Sequence, residues 1–150
     1  MAAKGKDEEE LRRLSVEMRY LEQTADTLQQ RLSMLNAAIT DLSYANMTLD
    51  GVEKEKENSE LLVPIGGSSY VKMRLASADK VIVGIGAGVS VEKSLPEAKA
   101  MLKERLDELE KSSEAAQQQF SQIADRINTG RNRLETLLSS VREEKAAGNV

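Results

Sequence analysis

Apolar residues recur along this chain in two long tracts of alternating three- and four-residue steps. In the first tract Leu11, Met18, Ala25, Leu32 and Ile39 hold one heptad position, and Leu14, Leu21, Leu28, Leu35, Leu42 and Leu49 hold the other. The second tract runs through Leu102, Leu106, Leu109, Ala116, Phe120, Ile123, Ile127, Leu134, Leu137 and Val141. Such spacing lays one narrow apolar stripe along each of two long helices. At about 1.5 Å per residue each helix would reach roughly 65 to 75 Å, a length that needs a partner helix to bury its stripe.

Between the tracts the period changes from heptad to alternation. Leu61 to Ile65 and Tyr70 to Leu75 flank Gly66-Gly67, and Lys80 to Ile85 and Val89 to Lys93 flank Ala87-Gly88. Short alternating runs around glycine-bearing turns predict two β-hairpins. Five of the nine glycines fall in this middle stretch, which separates it sharply from the glycine-poor tracts on either side. The chain therefore divides into an acidic leader (1–10), a first helix (11–57), two hairpins (60–93) and a second helix (95–146). Its fold class is α+β: an antiparallel two-helix coiled coil carrying two central hairpins.

Boundaries follow from local chemistry. Asp7 to Glu10 suit the positive end of a helix dipole, and Gly51 marks where the first helix weakens, although the charged run 53–57 remains helix-compatible. Ser94-Leu-Pro-Glu97 reads as a capping box with proline in the first turn. The four strands are expected to form one small sheet with open edges. An exposed sheet rich in Val and Ile is sticky, so strands from other subunits are expected to cover it. Leu62, Val63, Ile65, Val71, Met73, Val81, Val83, Ile85, Val89 and Val91 are the candidate assembly residues.

If positions whose numbers sum to 148 face one another, Leu21 meets Ile127, Ala25 meets Ile123, Leu28 meets Phe120, Leu32 meets Ala116, Ile39 meets Leu109 and Leu42 meets Leu106. Large side chains then mostly oppose smaller ones, as good packing requires. A shift by one whole heptad satisfies the same rule.

Composition narrows the chemistry. The chain has no His and no Cys, which excludes His-based triads, Cys nucleophiles, disulfides and His or Cys zinc sites. Aromatic residues make up 3%, too few for a compact core in 150 residues. Charged residues reach 31% with a net charge of -4, a mixed surface without general attraction to nucleic acid or anionic membrane. Neither a membrane span nor a signal peptide is read, so a cytoplasmic location is expected.

Candidate motifs resolve against catalysis. Gly84, Gly86 and Gly88 resemble part of a dinucleotide fingerprint, but Val89 stands where the third glycine belongs and a strand follows instead of a helix. Glu104, Asp107, Glu108 and Glu110 read as a solvated helix face with no pocket to desolvate them. No enzyme activity, cofactor or metal is expected. Arg12, Arg13, Arg19, Arg126, Arg131, Arg133 and Arg142 could make a basic end for RNA, yet Glu8, Glu9, Glu10, Glu17, Glu135, Glu143 and Glu144 share that region. Ion pairing between the helices is the better reading.

The candidate binding surface lies at the end of the helix pair farthest from the hairpins. It comprises Leu11, Leu14, Met18 and Leu21 with Leu134, Leu137, Leu138 and Val141. Most are seam residues, but Leu138 stands beside the seam, and Asn128-Thr-Gly130 is expected to loosen the second helix there. A splayed end would expose apolar surface, with Met18 as an adaptable contact.

The stretches Leu62 to Lys72 (LVPIGGSSYVK) and Val83 to Lys93 (VGIGAGVSVEK), set between two heptad helices, make the chain resemble the alpha-class subunit of prefoldin. The resemblance implies that two such subunits join four beta-class subunits through an oligomeric β-barrel. It also implies that the coiled-coil ends hold unfolded polypeptides and pass them to a group II chaperonin without ATP. Several weak apolar patches acting together suit such a task. An adaptor coiled coil that binds one folded partner is the alternative reading.

Overall fold

The computed structural model describes residues 2–148, with side chains described from residue 5 onward. The element order is α1 (Ala2–Glu53), β1 (Glu60–Gly66), β2 (Ser69–Arg74), β3 (Lys80–Gly86), β4 (Val89–Ser94) and α2 (Leu95–Ala147). The chain separates into a terminal unit, made of residues up to Leu35 and from Ser112, and a central unit, Asn36–Lys111.

Helix α1 takes in the acidic leader instead of starting after it. Nothing in the leader stops a helix: Ala and Lys favour it, and Gly5 costs only about 1 kcal/mol. At the other end the helix passes through Gly51 and stops at Glu53. Lys54 N donates to Gly51 O at 3.2 Å and Glu55 N to Val52 O at 3.0 Å, the three-residue bonds of a tightening last turn. Asn58 then takes a left-handed φ of 70° and donates its N–H to Leu75 O at 2.6 Å, which joins the helix exit to the base of the first hairpin.

Helix α2 begins where the capping signal stands. Ser94 Oγ accepts the Glu97 N–H at 3.3 Å, and the Leu95 N–H donates to Asp79 O at 2.8 Å.

Both hairpins are antiparallel, with Val63 opposite Val71 in the first and Val83 opposite Val91 in the second. Each strand of the second sits twenty positions after its counterpart, Glu60 against Lys80 and Ser69 against Val89. Each carries the same irregularity, between Pro64 and Gly66 and between Gly84 and Gly86. Gly66 and Gly86, at φ of 98° and 109°, lie beyond what a side chain tolerates comfortably, so glycine is required at both. The first turn is centred on Gly67-Ser68, one residue later than expected, because Gly66 serves the bulge.

The expected four-stranded sheet does not form: β1 pairs with β2 and β3 with β4 in two separate ribbons. The second hairpin sets Val83, 4% exposed, against Leu49, Leu95 and Ala98, with Val81, Met101 and Leu102 around them. Its apolar face is thus covered by helices, while its strand edges stay open to other strands.

In the terminal unit Met18, Leu21 and Ile127 are buried together, with Leu14, Ala25, Ile123 and Leu134 packed on them. Met18 faces Gly130, and these positions, like Leu21 with Ile127 and Ala25 with Ile123, sum to 148. The expected register therefore holds in this unit.

Candidate functional site

Two surfaces remain after the core is accounted for, one in each unit. In the central unit strand alternation puts Leu61, Val63, Ile65, Val71 and Met73 on one face of the first hairpin. The opposite face carries Leu62, Pro64 and Tyr70 between the Glu60–Lys72 pair and Arg74. No residue of this hairpin is buried. A two-stranded ribbon with one apolar face and a second that mixes apolar and charged residues is marginal by itself, and water contact with its apolar residues is unfavourable.

The predicted assembly residues divide accordingly. Leu62, Ile65, Val71, Met73, Ile85 and Val89 are exposed, and Val63 and Val91 are half-buried. Val83 packs into the chain's own helix junction, and Val81 is half-buried against it. Tyr70 and Ile82 of the same strands, the latter 77% exposed, extend the named set. Val81-Ile82-Val83 is apolar throughout, so alternation could not tell which of the three faced outward; pairing of Ile82 with Glu92 settles it.

Polar ties hold this arrangement. Arg105 Nη2 donates to Gly84 O at 2.6 Å, fastening the second hairpin to α2. Lys99 Nζ reaches Asp50 Oδ1 at 2.8 Å and Glu53 Oε2 at 2.5 Å, joining the start of α2 to the end of α1. Its hydrogen bond holds the Asp50 carboxyl below the ordinary aspartate range, and the two carboxylates, Asp50 first, hold the ammonium of Lys99 above its ordinary value.

In the terminal unit the predicted binding residues are distributed unevenly. Met18, Leu21 and Leu137 are buried, the last two at 2% exposure. Leu11, Leu14, Leu134 and Val141 are half-buried, and Leu138 is exposed at 43%. The expectation that Gly130 loosens α2 is corrected. Gly130 is helical and buried, and an added Cβ would collide with Met18 Sδ. It is the small half of a size-matched layer, letting the thioether approach the opposing backbone.

A shallow groove of about 350 Å³ runs beside this layer, floored by Leu14, Met18, Leu21 and Gly130 and rimmed by Glu17, Arg126 and Arg133. The expected ion pairing is present across the helices: Glu10 with Arg133 at 2.9 Å, Glu17 with Arg126 at 3.1 Å, and Glu22 with Arg131 at 3.5 Å. The Arg133 fork takes both oxygens of Glu10, and its hydrogen bonds lower that carboxyl below the ordinary glutamate range. Val16 and Tyr20 were missed by the sequence reading because they lie off the heptad; both are exposed. Among the described residues there is no group of three or more acidic side chains placed to hold a metal ion, and no helix is long and apolar enough to cross a membrane.

Comparison with known proteins agrees with this architecture. The family model for a prefoldin subunit matches residues 21–140. The chain is 32% identical to the prefoldin subunit alpha of Methanococcoides burtonii, over 80% of this chain and 87% of that one. It is 35% identical to the prefoldin subunit alpha of Methanopyrus kandleri, over 80% and 78%, and 33% identical to that of Pyrococcus horikoshii, over 82% and 84%. In fold it is similar to a chain of the filamentous prefoldin from Methanocaldococcus jannaschii determined by cryo-EM. The TM-score is 0.62 at 24% identity, covering 74% of this chain and 92% of the other. Two heptad helices joined by two hairpins, matched by the family model over most of their length, make this chain a member of the prefoldin family, of its alpha class.

Proposed function

We propose that this chain is the alpha-class subunit of an ATP-independent holdase that keeps unfolded polypeptides from aggregating and hands them to a group II chaperonin. Membership of the prefoldin family supports a chaperone role and association with other prefoldin subunits, and it indicates no catalytic activity. Two copies with four beta-class subunits, joined by hairpins into a β-barrel, make the proposed assembly. The ribbon of β1 and β2, with one apolar face and no fully buried residue, is the surface that such subunits would cover.

The observation that carries the client-binding part is a closed seam with apolar residues left outside it. Met18, Leu21 and Leu137 hold the helices together, while Leu138 faces outward and Leu11, Leu14, Leu134 and Val141 are half-open. Weak patches of this kind, several per assembly, bind a non-native chain by effective concentration and release it readily.

The test is suppression of aggregation. Removing residues 1–20 and 128–150 should abolish protection of a chemically denatured protein while the oligomer keeps its native mass. Equal protection by the shortened assembly would exclude capture at the helix ends.

A further inference from the structure

Val16 and Tyr20 of α1 lie four residues apart, hence side by side on one helix face, and are 64% and 67% exposed. Arg12, Arg13 and Arg19 stand three or four residues from Val16 and surround it, and all three are exposed. Of the acidic residues nearby, Glu8 and Glu9 lie one turn before Arg12 and Arg13, and three others are engaged by α2. Glu10, Glu17 and Glu22 pair with Arg133, Arg126 and Arg131 of α2. Arg12, Arg13 and Arg19 make no ion pair among the described residues. On a chain with a net charge of -4, the cross-helix pairs thus leave a strip of three guanidinium groups without an ion pair around an aliphatic and an aromatic side chain.

We infer that this strip is a docking site for segments of non-native polypeptide that carry acidic residues beside apolar ones. The inference rests on the holdase reading and adds the chemistry of the client. Guanidinium groups take carboxylates through charge-assisted hydrogen bonds, and a tyrosine ring offers large contact area at low entropic cost. Complementary charge also speeds encounter. A single-stranded RNA would meet the same arginines. Readers of RNA, however, stack successive bases on several aromatic rings, whereas Tyr20 is the one aromatic residue in residues 1–43.

The experiment uses the full chain and three fluorescent, unstructured peptides of identical Leu and Phe content carrying three Asp, three Ser or three Lys. A labelled single-stranded oligonucleotide is the fourth probe. By anisotropy at low salt the Asp peptide should bind about tenfold more tightly than the Lys peptide. That preference should collapse near half-molar salt. The triple variant Arg12→Gln, Arg13→Gln, Arg19→Gln should lose the preference yet keep its affinity for the Ser peptide. Val16→Ser with Tyr20→Ser should weaken binding of all three peptides. All five positions are exposed, so helicity should be unchanged in both variants.

Equal affinity for the Asp and Lys peptides would overturn the inference, as would a preference that survives the triple variant or an oligonucleotide that binds more tightly than the Asp peptide. The holdase reading fails separately. If the parent chain protects a denatured protein but does not discriminate among peptides, the strip is refuted and the holdase stands. If it discriminates but protects nothing, the strip stands and the holdase is refuted.

Discussion

The two hairpins share length, register, bulge position and turn geometry, yet one is anchored and the other is bare. Val83 of the second is buried against Leu49, Leu95 and Ala98, and its counterpart Val63 in the first is only half-buried. Backbone design is common to both; what differs is whether a helix face lies underneath. The same contrast appears in the terminal unit, where the seam closes over Met18 and Leu21 while Val16 and Tyr20 remain in water. Apolar surface in this chain therefore has two uses. Part of it holds the protomer, and the rest is left for something else to cover.

The sharpest way to break that contrast is the pair Val83→Asp and Val63→Asp. Placing an unpaired carboxylate at the buried site should cost about 3–5 kcal/mol and lower the melting temperature markedly. The same change at Val63 should cost about 1 kcal/mol or less in the protomer while reducing the oligomer seen by native mass measurement. Equal thermal losses would mean that the hairpins are equally anchored.

The seam is tested next. Gly130→Ala gains up to about 1 kcal/mol of helix propensity but forces Met18 aside, with overpacking that typically costs 1–3 kcal/mol. A net loss is expected, and in a double-mutant cycle read by urea unfolding Met18→Ala should cost less in the Gly130→Ala background than in the parent. Additive losses would show that Gly130 and Met18 do not share a layer.

Smaller effects come from the polar ties of the central unit. Arg105→Ala should cost about 1 kcal/mol by removing the bond to Gly84 O, with faster hydrogen exchange confined to the second hairpin. Unchanged exchange there would refute the tie.

The least effect is expected from pH. Because Asp50 and Glu10 titrate below their ordinary values in the folded chain, their contributions are present above those values and are lost as pH falls through the lowered ones. Lys99, held above its ordinary value, contributes fully below about 10.5 and loses that contribution as pH rises further. The melting difference between the parent and Lys99→Gln should therefore be small at neutral pH and shrink as the solution is acidified through and below the ordinary aspartate range. A difference that persists there would place the role of Lys99 in packing of its stem.

The amino-acid pattern alone determined the elements and the family. Heptad spacing is a local property of each helix, glycine at positive φ is demanded by the turn itself, and Ser94 caps a helix whose start it marks. These depend on neighbours in sequence, so they can be read there. Tertiary structure alone decided which apolar face each element would bury. Val81, Ile82 and Val83 are equally apolar, and only docking on the helix junction sent two inward and one outward. Gly130 reads as a weak point until Met18 is set opposite, where the missing side chain becomes the space that another fills. Burial is a relation between distant segments, and no single stretch of sequence carries both of its halves.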